Sequence, residues 1–178
     1  MHIHSTEDHM GFFTKPDATT APDDLLAPLT RDRIRGLLDH AGLRYMTDED
    51  GELWGWWDQH PLYFLLLGAE QATLSLQGQW NRNVPNDRLG EVLAAANEWA
   101  QRHPWPTIWA LPGEEHLQVF AHHTVGYPGG VSDERLRAHI GCAIETVLPF
   151  FDHLDTLYPE AVAEARIRLG IDETDPGA

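Results

Sequence analysis

The sequence predicts an α+β fold: a twisted, mostly antiparallel sheet of about five or six strands packed by three main helices, in the order α-β-β-β-α-β-β-α. Three observations predict it. Capped segments with apolar residues at i, i+3, i+4 and i+7 occur near the start, the middle and the end. The segments between them alternate as strands do. The strand candidates are joined by turns too short for the crossovers that a parallel sheet needs.

The first helix starts at Thr30, an N-cap, with Asp32 in its first turn. Ile34, Leu37, Leu38 and Ala41 form its stripe, and Gly42 ends it. Asp48-Glu49-Asp50-Gly51 is turn chemistry between two strands. The pattern then predicts strands over 44–47, 52–58, 62–68 and 72–80. A second helix is expected over 86–102, with Leu89, Val92, Leu93, Ala96 and Ala100 on its buried face and Pro104 and Pro106 beyond its end. Strands over 107–111 and 116–125 flank Pro112-Gly113-Glu114-Glu115. Ser132 caps the third helix, whose stripe is Leu136, Ile140, Ile144, Val147, Phe151 and Leu154. Pro149 is expected to kink it. Pro159 opens a last short helix that buries Val162, Ala165 and Leu169, with Gly170 at C′. Residues 1–26 read as a flexible arm, 27–170 as one domain and 171–178 as a tail.

Composition narrows the function. With 12 Lys+Arg against 28 Asp+Glu, the net charge of −16 repels phosphate backbones and anionic lipid, so neither a nucleic acid nor a membrane is an expected partner. The longest apolar run, Leu62 to Leu67, is too short to span a bilayer, and no secretory leader is visible at the start. A single cysteine, Cys142, forms no internal disulfide and suits a cytoplasmic protein.

Motifs for chemistry are weak. A calcium loop ending its sixth position at Gly51 would start at Met46 and finish at Trp57, so both essential ligands are missing. His122 and His123 are adjacent on a strand and point to opposite faces. Cys142 lies mid-helix, off the apolar stripe, with His139 one turn before it, and no helix N-terminus activates it. No nucleotide-binding glycine pattern or serine-nucleophile motif occurs. The expectation is no catalytic residue, no metal and no cofactor. The alternative is a pocket lined by His116, His123 or Cys142 that binds a small molecule or performs unrecognised chemistry.

The aromatic residues are the unusual feature. Trp80, Trp99, Trp105 and Trp109 are expected in the core. In 72–80 and 116–125 one face is apolar and the other polar, but 62–68 is apolar on both, and 52–58 carries Trp54 and Trp56 opposite Leu53 and Trp57. Part of the sheet is therefore apolar on two sides. Three helices cover one side; the arm, the last helix, a second subunit or a client protein must cover the other. Trp54, Trp56, Tyr63 and Leu65 are the expected contact residues for a protein partner or a second copy.

Several local patterns carry a resemblance. Gly42-Leu43-Arg44-Tyr45, Asp48-x-Asp50-Gly51-x-Leu53, Trp57-Asp58, Leu74-x-Leu76-x-Gly78-x-Trp80, Asn97-Glu98-Trp99 followed by Trp105-Pro106, Gly130-Val131-Ser132-Asp133-Glu134-Arg135-Leu136, Phe150-Phe151-x-x-Leu154 and Tyr158-Pro159-Glu160 together resemble the YbjN domain family over residues 30–160. Ala100 stands where relatives carry a second Asn, and Thr107 where they carry a basic residue. The resemblance implies a fold like that of type III secretion chaperones, frequent homodimers, a sensory-transduction regulatory role and no catalytic residues.

Overall fold

The computed structural model describes residues 25–171. Six strands form one antiparallel sheet in the order β1-β2-β3-β4-β6-β5. They are β1 (Met46–Thr47), β2 (Leu53–Trp57), β3 (His60–Leu67), β4 (Thr73–Gln79), β5 (Thr107–Pro112) and β6 (Leu117–Gly126). The helices are α1 (Arg31–His40), α2 (Leu89–Ala100), preceded by a 3₁₀ turn at Asn86–Arg88, α3 (Asp133–Leu157) and α4 (Pro159–Leu169). The α+β fold and antiparallel sheet agree with the sequence, and β1 falls within the strand expected over 44–47, so all four strand candidates before α2 are present.

Local chemistry explains most boundaries. The Thr30 and Ser132 side chains accept from Arg33 and Arg135 N–H, capping α1 and α3. Gly170 adopts the left-handed conformation that ends α4. The β1–β2 turn is tied by Asp48 Oδ1, which accepts from the amides of Asp50 and Glu52. The β2–β3 turn has only two residues, Asp58 and Gln59, both at positive φ. This is the mirror-image turn that matches strand twist, made here without glycine. It lets β3 begin at His60, two residues before its expected start. Helix α3 runs without interruption through Pro149, which is exposed, so the carbonyl it leaves unpaired lies on the solvent side.

All four helices pack on one face of the sheet. One core cluster joins Ile34, Leu37 and Leu38 of α1 to Leu53, Leu62, Phe64, Leu66, Leu74 and Leu76 of the strands and to the first half of α3. The second joins Val92, Ala95 and Ala96 of α2, Val119 and Ala121 of β6, Phe150, Phe151 and Leu154 of α3, and Ala161 of α4. Between these lies Gly78, over which α3 passes so closely that a Cβ would sit 2.7 Å from Val147 Cγ1. A polar network closes the end of β4. Trp80 Nε1 donates to Asp155 Oδ1 at 2.7 Å, and buried Arg82 donates to Asp155 Oδ2 at 2.6 Å. His60, also buried, accepts from Asn81 N–H through Nδ1.

Two helix faces differ from expectation. In α2, Leu93 is exposed and Ala95 buried, so the stripe is Leu89, Val92, Ala95, Ala96 and Trp99, turned toward β5 and away from Ala100. In α4 the buried residues are Ala161 and Ala165; Val162 is half-buried and Leu169 exposed. Small residues face inward there because α4 packs closely against α3.

Candidate functional site

Strand register assigns each side chain to a face. Trp54 pairs with Tyr63, Tyr63 with Gln77, Gln77 with His122 and His122 with Thr107. Leu65 pairs with Ser75, and Ser75 with Thr124. Trp56 pairs with Pro61. These residues share the face away from the helices, and among the described residues no helix or loop segment is packed across it. The structure thus brings Trp54, Trp56, Tyr63 and Leu65 onto one surface. The last helix does not cover it, because α4 packs on the other side. The N-terminal arm, residues 1–24 of it, and most of the C-terminal tail lie outside the described residues.

The surface has two aromatic patches separated by a polar strip. The Trp54 ring stacks on Tyr63 with centroids 5.9 Å apart and meets Trp56 edge-on at 6.1 Å. Trp56 is 47% exposed. Met46 and Leu67 extend this patch and are exposed. A groove of about 650 Å³ runs beside it, lined by Asp39, Leu43, Arg44, Tyr45, Met46, Gly55 and Trp56. The second patch is Trp109 stacked on Phe120, centroids 4.1 Å apart, with Leu111 beside them. Between the patches run Thr73, Ser75, Gln77 and Gln79, and Ser75 Oγ meets Thr124 Oγ1 at 2.7 Å.

The second patch corrects the sequence reading. Trp109 and Trp105 are exposed, at 38% and 37%, rather than core; Trp80 is buried and Trp99 partly so. The signal was present in β5, where Thr107, Trp109 and Leu111 alternate with Ile108 and Ala110, and only the latter pair faces α2.

The alternative site is only partly assembled. His123 and Cys142 do meet: Cys142 Sγ lies 4.0 Å from His123 Nε2, and Cys142 is exposed. The His123 ring lies 4.8 Å from that of His139, whose Nδ1 meets Tyr127 Oη at 2.9 Å. Burial lowers the pKa of His123, and lowers that of His139 to about 4 with help from His123. Both rings are therefore neutral at pH 7. Among the described residues His123 Nδ1 has no hydrogen-bond partner, so no carboxylate or carbonyl orients the imidazole as a base. His116 lies before β6, bridged to Pro85, seven residues away along the chain. His122 sits on the opposite face. Among the described residues no group of three His, Cys, Asp or Glu is placed to hold a metal ion, and no helix is long and apolar enough to cross a membrane.

The chain is similar in structure to YbjN from E. coli, described as "a putative transcription regulator", at 11% identity and a TM-score of 0.62, covering 76% of this chain and 96% of that one. A chain of the HopA1–SchA chaperone–effector complex matches at 14% identity and a TM-score of 0.43, covering 70% of this chain and 96% of that one. No curated protein matches the chain by sequence. The model of the YbjN family, described as "Putative bacterial sensory transduction regulator", matches residues 30–156. That span takes in all six described strands, α1, α2 and all but the last residue of α3, and the chain belongs to the YbjN family.

Proposed function

We propose that this protein is a non-enzymatic, cytoplasmic regulatory module that binds a protein through the helix-free face of its sheet. The single observation that carries the reading is that face: two stacked aromatic patches, with Trp56 nearly half exposed, on a surface no described element covers. Solvent-exposed apolar patches of this kind are typical of protein contacts. Aromatic residues at the centre of an interface carry most of its binding free energy. The family's description as a regulator supports the same reading. The occupant is a different protein or a second copy of this chain.

Trp56→Asp tests it. Wild type and variant are compared as baits in native lysate, with circular dichroism to show that both are folded. At least one protein held by wild type should be lost from the variant. Identical captures, with no change in molar mass by light scattering, would end the proposal.

A further inference from the structure

We infer that the occupant of the helix-free face is a cation-bearing amphipathic segment of another protein, not a second copy of this chain; the inference rests on the binding role proposed above. None of the six strands contains Asp, Glu, Lys or Arg. The hairpin turns that frame the face are acidic at both ends of the sheet. Glu49, Asp50 and Glu70 lie at one end, Asp58, Glu114 and Glu115 at the other, all exposed, and these turns hold no Lys or Arg. The arginines stand in the helices and in the segments flanking them, many tied to carboxylates: Arg31 to Glu52, Arg33 to Asp133, Arg82 to Asp155. Arg44 lines the groove beside Trp56, but it shares that groove with Asp39.

An uncharged aromatic surface between two acidic rims suits a strand or helix carrying apolar side chains along one stripe and Arg or Lys at its margins. Guanidinium groups also stack on indole and phenol faces, which Trp54, Trp56, Tyr63 and Trp109 present. A second copy is a poor match. Stacked face to face, two copies set acidic rim against acidic rim, whereas a cationic segment sets opposite charge there. Sheets about 10 Å apart stand just beyond the screening length of physiological salt, so this discrimination is greatest at low salt.

The test uses the full chain and three short fluorescein-labelled peptides, alternating Leu/Arg, Leu/Glu and Ser/Arg, with binding read by anisotropy at low and high salt. The Leu/Arg peptide should bind, roughly tenfold or more tighter than the other two, and weaken as salt rises. Trp56→Asp should weaken it roughly tenfold although the variant adds negative charge, an outcome that charge attraction alone reverses. Trp56→Ser serves as a second variant if the aspartate disturbs folding, and Glu49→Lys with Glu70→Lys should weaken the peptide without touching the rings. If Leu/Glu binds as tightly and loses its affinity in Trp56→Asp, the binding face stands and the basic partner falls. If Ser/Arg matches Leu/Arg, or if no peptide responds to the Trp56 variants, the inference falls. A dimer in sedimentation that Trp56→Asp dissociates also overturns it.

Discussion

Gly78 lies on β4 beneath α3, paired with Leu62 and Ala121 on the neighbouring strands. An alanine methyl there would lie 2.7 Å from Val147 Cγ1 and 2.8 Å from Phe151 Cε2. Comfortable carbon–carbon separations are about 3.5–4.0 Å. Neither neighbour has solvent to retreat into, since both are wholly buried. Overpacking of this kind costs about 1–3 kcal/mol. The loss of unfolded-state freedom returns about 0.4–1 kcal/mol. The expected net effect of Gly78→Ala is a loss of up to about 2.6 kcal/mol, centred on about 1.3 kcal/mol, which lowers the melting temperature by roughly 3–5 °C for a chain of this size. The control is Gly36→Ala in α1, where a Cβ meets nothing within 4 Å and helix propensity should raise stability by about 0.8–1 kcal/mol. Thermal unfolding by circular dichroism, with urea melts beside it, reads both. A Gly78→Ala protein that melts at or above wild type, while Gly36→Ala rises as expected, would show that α3 does not press on β4 as described.

The remaining expectations concern buried polar groups and pH. Asp155→Ala strips buried Arg82 of its counter-charge and should cost about 3–5 kcal/mol in urea unfolding, more than Arg82→Met with Asp155→Leu together; a loss under ~1 kcal/mol would refute the pairing. Burial holds the pKa of His60 at about 3 and that of His139 at about 4, both below the ordinary 6.5. The unfolded chain therefore takes up protons first as pH falls. Stability is full above about pH 6.5 and should drop below it by roughly 1.4 kcal/mol per pH unit for each histidine. His139→Gln should flatten urea midpoints measured between pH 7.5 and 5.5, and an unchanged slope would count against that burial. Arg33 donates to the carbonyls of Ala27, Pro28 and Val131 and pairs with Asp133. Arg33→Met should cost about 1–3 kcal/mol and speed proteolysis around Leu25–Leu29; cleavage at the wild-type rate would refute it.

Much of this architecture was legible because local chemistry and burial agreed. Thr30 and Ser132 are caps in fact as in pattern, Gly51 and Gly170 take the positive φ their turns require, and β4 and β6 bury the parity their apolar residues mark. Alternation groups Trp54 with Trp56 and Tyr63 with Leu65, and the β2–β3 register puts the two pairs on one surface. What was not legible depended on neighbours. The Asp58-Gln59 turn carries no glycine, so nothing in its residues announced a two-residue hairpin. The buried faces of α2 and α4 are set by small residues, Ala95, Ala161 and Ala165, chosen by how closely each helix approaches the layer below; a search for large apolar residues favours Leu93 and Leu169 instead. His60 and Arg82 look like ordinary surface residues until Asn81 and Asp155 are brought to them by the fold. Size alone places Trp105 and Trp109 in the interior, whereas Trp109 stands on the outward side of β5, an edge strand, and Trp105 precedes that strand with its ring 4.3 Å from that of His123.

The absence of ionised side chains from every strand has a colloidal consequence. Among the described residues mutual repulsion between molecules rests on groups borne by helices and turns, and it vanishes near the isoelectric point of about 4.9. Around that acidity the exposed tryptophan surface is left without its electrostatic guard, and the charging of buried His60 and His139 loosens the fold over the same range. Self-association through that surface is the outcome such a charge distribution builds in.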